Sequence, residues 1–441
     1  VCAYANNQWA LAGDVAADPA ESSFRKAMEV AEGTLTVLDG AVVTYQRIWC
    51  VYEIFVTLIA FADRPSKYLY DMYTINADGE GVGLIDGWAP VDLKFGEARA
   101  NDLKYDRERT FPKAVGELAM GIQIQRGMAS MKRDRQTILN AIAGRDLLAL
   151  PVEEHQKYEE LNSTVRAHFS AGMWRKALEG GSNMAPFREA LSAADVRDVS
   201  FSFAMSKAFD DEACCFLAES LPKQIESLHM DLSRCSALTA TGFNALALAI
   251  ELRGPTVEVL DLHLAGLATT CTDEVVEALA NAVSKCVCMR RLNLVLSGCS
   301  QALTEDGFQK LMSEIQRTKS SLERFSLDLF AIDLGGRGGA PTENCKTFTD
   351  KSANALAHAL SEMVRLQEFN LVLSGASHFV TRDGLRQVCT SLPKECSKFK
   401  IMVDGDISEL VTELENTKPD HVIAVDRGSR NACHTITGVQ K

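Results

Sequence analysis

The chain has 441 residues, 46% of them hydrophobic and 24% charged, which is enough apolar material for about two or three cored domains and excludes a disordered chain. Its formal net charge of −13 and pI near 5.2 exclude nucleic acid or an anionic membrane as the main partner, since both need a basic footprint; a basic or polar protein fits better. The longest apolar run, residues 51–62, carries Glu53 and is shorter than the roughly 20 residues that cross a bilayer, so no membrane span is predicted.

In chain order, residues 1–144 alternate strand and helix patterns. Residues 1–5 read as extended, 23–32 as helical, 34–38 as extended, 49–62 as helical and 68–75 as extended, which is an α/β reading. Phe24, Ala27, Met28 and Ala31 form one stripe, with Ser22 or Ser23 available as a cap. Gly79, Gly81 and Gly83 are expected in a loop, because the spacing is not that of a dinucleotide fingerprint. Residues 111–143 resume a helical pattern, and Lys132, Arg133 and Arg135 read as a solvated helix face. Residues 145–185 read as a helical connector, in which Tyr158, Leu161, Val165 and Phe169 keep helical spacing and Gly180 and Gly181 end it.

From residue 186 to 403 one pattern repeats. Apolar-x-apolar-x-apolar segments begin at Val199, Leu228, Leu260, Leu292, Phe325, Phe369 and Phe399, at intervals of 29, 32, 32, 33, 44 and 30 residues. Such a period marks a solenoid of stacked units. Thr239, Thr272, Thr304, Thr349 and Thr381 stand where a helix N-cap would, so each unit reads as strand, loop, helix. The residues between the apolar positions point the other way. They are Ser200 and Ser202, His229 and Asp231, Asp261 and His263, Asn293 and Val295, Ser326 and Asp328, Asn370 and Val372, Lys400 and Met402. This set is the candidate partner-binding concave face. His229 and His263 share it with Asp231 and Asp261, and the expectation there is a polar binding surface rather than a metal site. Gly335 to Gly339 reads as a surface insertion that lengthens one interval, and residues 404–441 as a polar cap over the last unit. The repeats resemble leucine-rich repeats of the ribonuclease-inhibitor-like kind, with a full helix in each unit.

Thirteen cysteines without C-x-x-C spacing read as reduced core residues in a cytoplasmic protein. The chain begins inside a strand pattern and without Met, which predicts an incomplete N-terminus and leaves open an upstream targeting signal.

One short string carries candidate chemistry. Trp49, Cys50, Glu53 and Ile54 match W-C-x-x-E-[LI] at the start of a helix that follows a strand. This string resembles the signature of Toll/interleukin-1-receptor (TIR) and TIR-like domains, and residues 1–9, ending Asn7, Gln8, Trp9, are similar to the first strand of a branch found in fungi, protists and algae. The resemblance covers about the first quarter of the chain. It implies a doubly wound parallel sheet, incomplete at its start, and a module that self-associates or docks an effector. In catalytically active members the motif glutamate assists cleavage of the nicotinamide–ribose bond of NAD, which implies a role for Glu53, with NAD as substrate and no resident cofactor. A carboxylate beside the sugar can stabilise an oxocarbenium-like state. The alternative is that the helix packs, with Trp49 and Cys50 as packing residues and Glu53 paired with Arg47. Two functions follow: a signalling or sensing protein that binds a protein partner, or an NAD-cleaving hydrolase regulated by the repeats.

Overall fold

The computed structural model describes residues 18–61, 68–84, 106, 108–267, 270–299, 303–330, 348–373, 380–404, 407–418, 420–427 and 433–440. The extended reading of residues 1–5, the motif at 7–9 and the insertion at 335–339 lie outside them. The protein is α/β, with helices and mixed sheets, and divides into two compact units, Val1–Val196 and Arg197–Lys441.

In the first unit, helix α1 (Ser23–Val30) starts where the Ser22 hydroxyl accepts a bond from the Arg25 N–H, a cap that stabilises a helix start by about 1 kcal/mol. Strand β1 (Gly33–Val37) follows, then α2 (Ile48–Phe55), β2 (Leu69–Ile75) and β3 (Gly81–Leu84). β1 and β2 pair in parallel, and β2 and β3 pair antiparallel, so this three-stranded sheet is mixed rather than all-parallel. The expected glycine loop is therefore a hairpin, with Gly81 opposite Ile75 and Gly83 opposite Tyr73. Asn76 makes the turn, its Oδ1 accepting from the Asp78 and Glu80 N–H groups, and Gly79 takes the left-handed φ of 81° that such a reversal requires.

The pattern over 111–143 breaks into α3 (Lys113–Ala119) and α4 (Lys132–Ala143), with a 3-10 turn at Ile124–Arg126 between them. Arg135 is not a solvated charge. It donates to the carbonyls of Gly127 at 3.0 Å and Gln125 at 2.7 Å and holds that turn. α5 (Gln156–Glu179), expected as a connector, is a core helix of this unit: Tyr158, Leu161, Phe169, Met173 and Trp174 are all buried, and it packs on α3, α4 and β3. It is apolar on several faces, as a buried helix must be. α6 (Ala185–Ala193) closes the unit.

The second unit alternates strand and helix in chain order: β4 (Asp198–Ser202), α7 (Asp211–Ser220), β5 (Ser227–Asp231), α8 (Ala240–Arg253), β6 (Val259–His263), α9 (Asp273–Ser284), β7 (Arg291–Val295), α10 (Glu305–Ile315), β8 (Arg324–Asp328), α11 (Asp350–Glu362), β9 (Glu368–Val372), α12 (Arg382–Thr390) and β10 (Lys398–Asp404). Strands β4 to β10 pair in parallel with their sequence neighbours, in one register. Val199, Leu228, Leu260, Leu292, Phe325, Phe369 and Phe399 stand side by side, and all are buried. This is the sequential arrangement that a strand–helix repeat produces, because each unit can bury its apolar face only on the next.

The tail adds more than a polar cap. After α13 (Ser408–Thr417), β11 (His421–Arg427) and β12 (Cys433–Gln440) form an antiparallel hairpin, and β12 pairs with β10, extending the sheet.

The threonine positions hold, with one qualification. Thr239, Thr304, Thr349 and Thr381 cap α8, α10, α11 and α12 through their hydroxyls, whereas Thr272 occupies the same place before α9 without a side-chain cap bond. A second device joins the units. The first residue of one helix bonds to the cap threonine of the next: Asp211 accepts from the Thr239 N–H at 2.8 Å, Asp273 from Thr304 at 2.7 Å and Asp350 from Thr381 at 2.7 Å. In each of these three cases the third residue of the receiving helix is glycine, namely Gly242, Gly307 and Gly384, and a Cβ there would run into the carboxylate. Where the preceding residue is Ala240 or Glu305, the corresponding position is Val275 or Ser352.

Candidate functional site

Each unit holds one set of candidate residues. In the first, α2 enters through a short pairing with the chain near Met128: the Ile48 N–H donates to the Met128 carbonyl at 2.9 Å, and the Met128 N–H to Gln46 at 2.7 Å. Ile48, Val51, Tyr52 and Ile54 are buried. Trp49 donates its indole N–H to Asp134 at 3.1 Å, and its ring lies 5.6 Å from Phe24, so it joins α1, α2 and α4. Cys50 is half-buried and in no disulfide.

Glu53 is half-buried. Its carboxyl is pushed above the ordinary carboxylate range by burial, and the Arg47 charge opposes that shift without coming into ion-pair contact. Among the described residues the carboxylate has no hydrogen-bond or ion-pair partner, so the expected Arg47 pair does not form. One turn on, the Thr57 hydroxyl lies 2.8 Å from both the Glu53 carbonyl and the Thr34 hydroxyl, which sets this flank of the helix against β1. A cavity of about 500 Å³ opens beside α2, lined by Arg25, Glu29, Tyr52, Phe55 and Arg145 among others. Glu53 does not line it.

The second set occupies the non-leucine face of the parallel sheet. Register places Ser200, His229, Asp261, Asn293, Ser326, Asn370 and Lys400 in one row, and Ser202, Asp231, His263, Val295, Asp328, Val372 and Met402 in the next. An open face was expected throughout. Instead Ser200, Ser202, His229, Asp231, Asp261, His263 and Asn293 are buried, while Val295, Ser326, Asp328, Asn370 and Val372 are half-buried.

The buried part is a polar network centred on Asp261, whose side chain is 0% exposed. Its Oδ1 accepts from Asn293 Nδ2 at 2.7 Å and from His263 Nε2 at 2.9 Å; its Oδ2 faces His229 Nδ1 at 3.4 Å and the Arg291 guanidinium at 3.8 Å. Burial by itself pushes this carboxyl up, but the bonds from His229 and His263 outweigh it and hold the group well below the ordinary range. Strands about 4.8 Å apart bring complementary side chains of neighbouring rungs into bonding range. That is why these residues satisfy one another instead of facing solvent. Among the described residues no group of three His, Cys, Asp or Glu side chains is arranged to hold a metal.

Helix and strand spacing alone does not pair the helix-start carboxylates with the cap threonines. The signal was present as T-x-x-G strings at Thr239, Thr304 and Thr381, each preceded one unit earlier by an aspartate.

No protein-family model matches the chain, and no curated protein matches it in sequence. No helix among the described residues is long and apolar enough to cross a membrane.

Proposed function

We propose that the second unit is a leucine-rich-repeat solenoid that docks a protein partner on its strand face, and that the first is a TIR-like module for self-association or effector docking, in a cytoplasmic signalling or sensing protein. The observation that carries this reading is the ladder of seven parallel strands in chain order and one register. Sequential units of this kind offer an extended surface, and such surfaces serve recognition. Cys214, Cys235, Cys271, Cys286, Cys299, Cys389 and Cys396, all buried and in no disulfide, accord with a reducing compartment. The test uses the full chain immobilised against candidate signalling proteins, beside a variant carrying Asn370→Arg and Val372→Arg. A partner lost from the variant at unchanged melting temperature supports the reading; retention of every partner refutes it.

One observation favours a second reading. The Glu53 carboxyl is half-buried, raised by that burial and without an ion pair among the described residues, a state in which a carboxyl group can serve chemistry. On this reading Glu53 stabilises positive charge on the ribose as the nicotinamide–ribose bond of NAD breaks. Nicotinamide release from NAD, compared between wild type and Glu53→Gln, decides it: turnover abolished by the substitution establishes the hydrolase. No turnover in either protein leaves Glu53 a packing residue.

A further inference from the structure

Side chains along the strand face of the second unit change character between β7 and β8. On β5 to β7, His229, Asp261, His263 and Asn293 are buried and bonded to one another around Asp261. On β8 to β10 the face is partly exposed, and β8 and β10 start with cations, Arg324 and Lys398, on either side of Glu368. Register aligns Arg291, Arg324, Glu368 and Lys398 in one row, with Lys400 one step further along β10. The Arg324 and Glu368 side chains are 57% and 41% exposed and 3.8 Å apart, a loose surface pair worth little. Lys398 and Lys400 are exposed, and among the described residues neither makes an ion pair.

At the other end of the same strands Val295, Val372 and Met402 form a half-buried apolar row, interrupted by Asp328. The Asp328 carboxylate is already occupied, accepting from the Ser297 hydroxyl at 2.7 Å and the Phe330 N–H at 2.8 Å. The patch thus sets an apolar stripe beside a local excess of positive charge, Arg324, Lys398 and Lys400 against Glu368, in a chain whose net charge is −13. A local field of opposite sign to the whole selects for the partner's local charge, because charges further away than about 10 Å are screened.

From these observations we propose that the face of β8 to β10 binds an acidic amphipathic helix of a partner protein, with apolar side chains on the Val372 and Met402 row and carboxylates toward Lys398 and Lys400. This inference rests on the docking reading above and narrows it to one half of the face and one class of partner. It also reverses the basic partner that whole-chain charge favours. Three strand spacings of about 4.8 Å separate β7 from β10, a span that matches about three turns of helix. Recognition of this kind uses an apolar stripe for affinity and flanking charge for orientation.

The test uses two fluorescein-labelled helical peptides of about 14 residues, identical in their leucine stripe, one flanked by glutamates and one by lysines. Each is titrated against the full chain by fluorescence anisotropy. The glutamate peptide is expected to bind at least about 10-fold more tightly than the lysine peptide, with the preference shrinking as salt is raised. The double variant Lys398→Glu/Lys400→Glu should remove or invert the preference, and Val372→Asp should weaken the glutamate peptide, both at unchanged melting temperature. A wild-type preference for the lysine peptide overturns the acidic assignment and leaves the docking reading of the face intact. Binding by neither peptide, or a glutamate preference indifferent to all three substitutions, overturns the proposal. The docking reading itself fails only if the Asn370→Arg/Val372→Arg chain keeps every partner.

Discussion

The outward residues of β4 to β7 and those of β8 to β10 occupy the same register rows of one sheet, and they do opposite things. In the first group His229, Asp261 and Asn293 follow one another from strand to strand, so the His and Asn side chains meet the Asp261 carboxylate on the neighbouring rung and leave solvent. In the second group Arg324, Lys398 and Lys400 outnumber the one carboxylate beside them, Glu368, which makes only a loose exposed pair with Arg324. They stay in water and remain available. Periodicity assigns both groups to the same face; the chemistry of the neighbouring rung decides whether that face is interior or surface.

The largest test of this contrast is Asp261→Ala, which strips the acceptor from His229, His263, Asn293 and Arg291 and leaves buried donors unpaired. It is expected to cost about 3–5 kcal/mol in urea unfolding; a loss below about 1 kcal/mol would show that the network is not what holds this half together. The same residue sets an acid limit. Its folded-state carboxyl lies below its ordinary value of 3.8, so its contribution is fully present above that pH and drains away as pH falls through the acid range. Wild type should therefore lose stability on acidification more steeply than Asp261→Asn.

Next comes the helix side of the same ladder. In Gly307→Ala the new methyl meets the Asp273 carboxylate that bonds Thr304, for an expected cost of about 1–3 kcal/mol. In an Asp273→Ala background most of that cost should vanish, since the obstacle has gone, and additivity of the two substitutions would disprove the coupling.

Glu53→Gln is expected to raise stability at neutral pH by under about 1 kcal/mol. Burial raises this carboxyl, so the wild-type group contributes fully below its unfolded value and loses that contribution as pH rises through its folded one. Thermal melts should show the variant ahead at pH 7 and the advantage shrinking toward pH 4 (about, on ordinary carboxylate values). A variant that is less stable at pH 7 would indicate that Glu53 has a stabilising partner.

Smallest of all is Lys398→Ala with Lys400→Ala, which should change stability by no more than about 0.5 kcal/mol. Set beside Asp261→Ala, it measures the contrast directly; a cost comparable to that of the buried network would erase the distinction between the two halves.

Local pattern carried much of this protein. The apolar triplets beginning at Val199 through Phe399 and the cap threonines could be read from spacing because the same short-range rule recurs seven times in nearly the same register. Residues 23–38 and 68–75 were legible for a related reason: amphipathic stripes and β-rich runs are local properties. The parts that were not legible depend on partners far away in sequence. Arg135 looked like a solvated charge until the carbonyls of Gln125 and Gly127 arrived beside it. The segment 156–179 looked like a spacer because nothing in its own spacing says that other elements will surround it.

By itself the sequence determined the second unit's strand–helix alternation, its inward leucines and the start points of its helices, since each is set within about one turn or one strand by backbone geometry. Only the tertiary structure decided that β2 reverses into β3, that Glu53 stands without Arg47 as a contact partner, and that the Asp261 row is interior while Lys398 and Lys400 are not. Those outcomes follow from which side chains meet across strands about 4.8 Å apart, a fact settled by assembly rather than by any residue alone.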